Sequence, residues 1–66
     1  MKINVEKLKT AQAERCLTNR ELCKLAGIGT LTLTMIKANK RNCQYSTVGK
    51  LAKALKMSVN ELIEKE

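Results

Sequence analysis

The sequence predicts an all-α fold of five short helices, and three observations carry that prediction. Composition comes first: the 66 residues include no proline and only three glycines, and the sole aromatic is Tyr45. The rest of the apolar content is Leu, Ile, Val, Ala and Met, which together with abundant Lys and Glu favours helix over sheet. Two capping boxes come second, T-x-x-E from Thr18 to Glu21 and S-x-x-E from Ser58 to Glu61, each marking a helix start. The third is apolar spacing at three and four residues, in stretches too short to join into one helix.

The first helix is expected to open at Asn4 as N-cap, to turn Val5, Leu8 and Ala11 inward, and to fade at Arg15 or Cys16. Thr18 then caps a second helix presenting Leu22, Cys23 and Leu25, which ends before Gly27, a residue that takes the left-handed conformation at little cost. Ile28 plugs the turn into the core. Gly29 or Thr30 caps a third helix whose inward side is Leu33 and Ile36. Residues 39–44 are polar and aperiodic, a loop. Ser46 or Thr47 opens a fourth helix with Val48, Leu51, Ala52 and Leu55 at helical spacing. Lys56 and Met57 form a tight connection, and a short last helix turns Leu62 and Ile63 inward. Residues 1–66 read as one domain, close to the lower size limit for a fold held by its core alone.

The formal charge is +7, and its placement says more than its size. Acidic residues stop at Glu21 and resume at Glu61, leaving Lys24, Lys37, Lys40, Arg41, Lys50, Lys53 and Lys56 without an offsetting charge in between. Such a block is either a solvated face or a surface that seeks phosphates and releases their counterions. Lys50, Lys53 and Lys56 fit the first description. With no histidine, no aspartate and no glycine-rich phosphate loop, the chain offers little for catalysis, and an enzyme is not expected. Cys16, Cys23 and Cys43 are odd in number and lack C-x-x-C spacing, so one copy is not expected to close a tetrahedral zinc site or a disulfide scaffold. Neither cofactor, metal nor small-molecule ligand is anticipated. Free thiols suit a reducing cytosol, residues 1–17 hold no apolar signal core, and no run is long enough to span a bilayer; a soluble, cytoplasmic protein is expected.

Residues 18–38 read as two short helices broken by a glycine-containing turn, a helix-turn-helix, whose partner is the major groove of double-stranded DNA. With Leu33 and Ile36 inward, a rotation of roughly 100° per residue sets Leu31, Thr34, Met35 and Ala38 on the far side, with Thr30 at the exposed tip. An apolar side chain there suits thymine methyl groups, and a threonine hydroxyl such as that of Thr32 can meet a base or a phosphate.

Three pieces of the sequence resemble the Cro and lambda-repressor type of bacterial and phage helix-turn-helix domain, often called XRE-like. They are Leu17-Thr18-Asn19-Arg20-Glu21-Leu22-Cys23, the turn Gly27-Ile28-Gly29 with Leu33 and Ile36, and the tail Leu51-Ala52-Lys53-Ala54-Leu55 with Met57-Ser58-Val59 and Glu61-Leu62. The resemblance runs from about Leu8 to Ile63 and implies a compact lambda-repressor-like fold with the helix-turn-helix in helices two and three. It also implies base reading at Thr30, Leu31 and Met35 with Thr34 adjacent, and phosphate contact at Asn19 and at the loop carrying Lys40 and Arg41. Many such domains pair a basic residue late in helix one with a Glu late in the recognition helix. Gln12 and Lys37 stand there instead, so Lys37 is expected to be free to reach phosphate. Ala38-Asn39 replaces the usual glycine exit, with Asn39 expected to turn left-handed. The base-reading positions hold no Gln, Arg or Asn, which implies thin direct readout and reliance on DNA shape.

The function this implies is a sequence-specific transcriptional regulator, repressor-like in occupying a promoter. Two copies on a pseudo-palindrome would set recognition helices about 34 Å apart, the homodimer forming in solution or only on DNA. A second class stays open: a protein-interaction module, antitoxin or adaptor, using an exposed Leu31 and Met35 face. A cationic helix lying on membranes fits poorly, because the apolar positions are divided among short capped helices.

Overall fold

A computed structural model describes residues 2–39 and 42–64. Its helices are α1 (Val5–Glu14), α2 (Asn19–Ala26), α3 (Thr30–Asn39), α4 (Tyr45–Ala54) and α5 (Val59–Leu62), and the described residues contain isolated bridges but no strand. The fold is thus the five-helix, all-α arrangement that composition and capping boxes predict. Among the described residues no helix is long and apolar enough to cross a membrane.

Local chemistry explains the boundaries. Asn4 caps α1, its side chain accepting from the Lys7 N–H at 3.2 Å. Both capping boxes are formed: the Thr18 hydroxyl accepts from the Glu21 N–H at 3.1 Å while the Glu21 carboxylate accepts from the Thr18 N–H at 3.0 Å, and Ser58 and Glu61 repeat the arrangement. Three helices close on a left-handed residue. Gly27 does so after α2 with φ 71°, and a Cβ there would meet nothing within 4 Å, so only the backbone conformation calls for glycine. Cys16 (φ 54°) and Lys56 (φ 53°) do the same after α1 and α4 without that freedom. In each, paired bonds satisfy the last carbonyls: Leu17 N–H to Gln12 O at 3.1 Å and Met57 N–H to Ala52 O at 3.0 Å are the longer-range members. A non-glycine residue in this conformation costs about 1–2 kcal/mol.

Leu8, Leu22, Val48, Leu51 and Leu62 are wholly buried, and α4 lies against α2 and α5 at the centre of the cluster. Each such side chain contributes about 1.5–3 kcal/mol by leaving water. The core also takes in Ile3, which the sequence reading passed over. It is 1% exposed, and the segment ahead of α1 runs beside the chain's other end, Asn4 N–H bonding Leu62 O at 2.8 Å and Glu64 N–H bonding Lys2 O at 2.9 Å. A further long-range tie joins the Arg15 side chain, through Nε, to the Leu55 carbonyl at the end of α4.

Several expectations need correction. Leu25 is 63% exposed and Ala26 is buried in its stead. Leu25 lies about 100° from the centre of the side formed by Leu22, Cys23 and Ala26. In α1 it is Gln12, 8% exposed, that completes the buried side of Val5 and Leu8, with Ala11 half-buried. Helix α4 begins at Tyr45, ahead of Ser46 and Thr47; Gln44 is the N-cap and makes no side-chain capping bond. Asn39 is the last helical residue of α3, and it is not among the described residues with positive φ.

Candidate nucleic-acid interface

The turn between α2 and α3 is built to hold two helices at a fixed angle. Ile28 is half-buried against the core, its N–H bonding Cys23 O at 3.0 Å. Cys23 is buried, and its thiol donates to the Gly29 carbonyl at 3.6 Å, immediately ahead of α3. The thiol thereby adds a weak tie to the turn.

Leu33 and Ile36 are buried, at 1% and 5% exposure, and this fixes the rotation of α3. Thr30, Leu31, Thr34 and Ala38 consequently face solvent, with Leu31 at 71% exposure. The Thr34 hydroxyl donates to Thr30 O at 2.9 Å, leaving its oxygen outward as an acceptor. Met35 departs from the expected far side: it is half-buried, lining a cavity of about 380 Å³ with Thr32, Ile36, Cys43 and Thr47. Thr32 is exposed at the rim of the same cavity. Lys40 and Arg41 lie outside the described residues.

A polar join holds α1, the start of α2 and the end of α3 together. The Gln12 amide donates through Nε2 to Leu17 O and to Asn19 Oδ1, both at 2.9 Å, and its Oε1 accepts from Lys37 Nζ at 2.7 Å. Lys37 Nζ donates to Asn19 Oδ1 as well, also at 2.7 Å. Lys37 is therefore held by the fold rather than free, since an amide and a cation meet across the positions where an ion pair was missing. Burial, and then the nearby Lys9 ammonium, lower its pKa from the ordinary lysine value. At the opposite end of the α2 cap, the Thr18 backbone N–H and then its hydroxyl hold the Glu21 carboxyl below the usual carboxylate range.

A family profile for Cro/C1-type helix-turn-helix DNA-binding domains matches residues 7–66. The chain belongs to that family. Comparison with curated protein sequences gives no significant match. Among solved structures the fold is similar to that of the restriction-modification controller protein C.AhdI from Aeromonas hydrophila, with a TM-score of 0.80 and 24% identity over 89% of each chain. The Cro/C1-type assignment makes this a DNA-binding domain with α2 and α3 as its helix-turn-helix.

Within this Cro/C1-type frame, the structure brings Asn19 and Lys37 together at one corner and sets Thr30, Leu31 and Thr34 on one exposed side, with Met35 and Thr32 at its edge. The sequence reading missed Gln12 as the residue joining them, although it stands seven after Val5 and four after Leu8, a spacing that already put it on the buried side of α1.

Proposed function

We propose that this Cro/C1-type domain is a sequence-specific transcription regulator that acts as a repressor by occupying a promoter, with the start of α3 in the major groove. The observation that carries the reading is the outer side of α3: Leu31 is 71% exposed between exposed threonines, in a helix whose inward side already supplies Leu33 and Ile36 to the core. In this reading Thr30, Leu31 and Thr34 meet base edges and Met35 touches them from the side. Asn19, Thr32, Lys37, Lys40 and Arg41 meet phosphates. With no side chain capable of bidentate base contact on that side, the domain relies on DNA shape for part of its selectivity. Likeness of fold to a controller protein supports a regulatory role. Residues 1–66 act as one DNA-binding domain in the cytoplasm, and two copies bind a pseudo-palindrome.

Selection of bound duplexes from a random library tests the reading directly, followed by affinity measured against salt. Enriched, paired half-sites and a log–log salt slope of roughly −0.9 per phosphate neutralised are expected. Lys40→Glu combined with Arg41→Glu should abolish binding and leave the helical circular dichroism intact. Absence of enrichment with salt-insensitive association would overturn the reading and favour a protein-interaction module that uses exposed Leu31 with half-buried Met35 beside it.

A further inference from the structure

Lys9 takes part in none of the contacts above, yet it stands beside Lys37 at a cavity of about 310 Å³ lined also by Gln12, Ala13 and Leu17. The two ammonium groups repel, and among the described residues neither is ion-paired. Next to them is an amide whose orientation is fixed. Gln12 is 8% exposed, and turning it over would set its oxygen against Leu17 O and Asn19 Oδ1, so its Nε2 end must face those two. Asn19 Oδ1 thereby accepts from both Gln12 and Lys37. The NH2 end of the exposed Asn19 side chain is left directed away from those donors. Lys37 has three ammonium protons and uses two of them on Gln12 and Asn19, so one remains.

We propose that Lys9, Lys37 and the Asn19 side-chain amide form a single site for one backbone phosphate of duplex DNA, and that Gln12 is the positioning residue that aims it. The inference rests on the DNA-binding reading above and adds two residues to it, Lys9 and Gln12. Lys9 and Lys37 line one cavity, Asn19 Oδ1 lies 2.7 Å from Lys37 Nζ, and the carbonyl oxygens of both amides are occupied by protein donors, so the chemistry selects an oxyanion. Without one, the Lys9–Lys37 repulsion stands uncompensated; a phosphate relieves it and accepts three hydrogen bonds with charge assistance. An ordinary cation pair on a solvated surface would separate, but Lys37 is anchored by its two bonds to the fold.

Fluorescence anisotropy on a random-sequence duplex across a salt series tests this, with Lys9→Gln, Lys9→Gln/Lys37→Gln, Asn19→Asp and Lys37→Arg beside the parent chain. The double variant should reduce the salt slope by about 0.9, the value for one phosphate, and Lys37→Arg, which keeps the charge, should retain the parent slope. Asn19→Asp keeps an acceptor for both Gln12 and Lys37, so its melting temperature should hold or rise while duplex affinity drops about tenfold or more on every sequence. Because the new carboxylate repels any nearby phosphate, the slope change of the Lys9→Gln/Lys37→Gln variant is what decides for the site. Lys9 is exposed, so its substitution should leave the melting temperature unchanged. A parent chain with a normal salt slope, unchanged in the double variant and with undiminished Asn19→Asp binding, would overturn the phosphate site alone. A parent chain without salt-dependent binding would overturn the DNA-binding reading and this site together.

Discussion

Substituting Gln12 by Glu restores an acidic partner to Lys37, and intuition says that the domain should gain stability. The geometry says the reverse. On the favourable side, a hydrogen bond from Lys37 Nζ at 2.7 Å becomes an ion pair, and a half-buried pair of this kind gains about 0.5–1 kcal/mol. On the other side, Gln12 Nε2 is the donor to Leu17 O and Asn19 Oδ1, both at 2.9 Å. A carboxylate removes both bonds at about 1 kcal/mol each and sets its own oxygen against a carbonyl oxygen at a position only 8% exposed. Desolvation and repulsion there add about 1–3 kcal/mol. Asn19 can rotate its amide to donate to the new carboxylate, but it then releases Lys37. The net is a loss of about 2–4 kcal/mol, which in a domain of this size lowers the melting temperature by about 8–32 °C. Thermal unfolding followed by circular dichroism at neutral pH measures it. A melting temperature equal to or above that of the parent chain would refute the assignment of Nε2 as the donor and, with it, the orientation of Asn19.

Three other outcomes follow from the same structure. Lys56→Gly relieves a side chain held at φ 53°, and should raise the melting temperature by about 4–8 °C for roughly 1 kcal/mol; no gain would mean that the turn is not held left-handed in solution. Glu21 has a folded pKa below its ordinary value of 4.5 because it accepts from Thr18. Its contribution to stability is therefore complete above about pH 4.5 and lost as pH falls through the lower folded value. Glu21→Gln keeps an acceptor and should flatten that part of the curve of urea midpoint against pH; an unaltered curve would contradict it. Leu31→Ala removes a side chain that is 71% exposed, so stability should change by no more than about 0.5 kcal/mol while the sequences enriched from a random duplex library change. Identical enrichment would take Leu31 out of base reading.

What could be read from the sequence was whatever depends on neighbours along the chain. Capping boxes at Thr18 and Ser58 and the left-handed Gly27 are decided within four or five residues, and all three are formed. The inward choice of Leu33 and Ile36 follows from helical spacing alone, and it fixed the outer side of α3 in advance. Misreadings arise where a distant partner decides. Gln12 meets Lys37 from 25 positions away, a pair of positions that only the family resemblance sets opposite each other, and Arg15 meets Leu55 from 40 with no local pattern to announce it. Ile3 is in the core only because the first and last segments run side by side. Met35 sits on the side of α3 that helical rotation assigns to solvent, and it is half-buried at a cavity that Cys43 and Thr47 also line. Leu25 failed for a different reason: two apolar residues, Leu25 and Ala26, competed for one inward place, and the larger is not the one that the direction of α2 turns toward the core.

In the proposed reading the exchange at Gln12 and Lys37 bears on both stability and binding. An acid–base pair across α1 and α3 would be electrically neutral at the corner, whereas an amide facing an ammonium leaves one positive charge there. The join is kept by hydrogen bonds in place of Coulomb attraction, which for a half-buried pair sacrifices little. In exchange, the field at that corner becomes attractive to an anion, and Lys9 strengthens it. A binding surface poor in side chains that specify bases must draw more of its affinity from the backbone of the duplex. In the proposed reading Thr30, Leu31 and Thr34 make such a surface, and the positive charge kept at the Lys37 corner compensates for what α3 lacks.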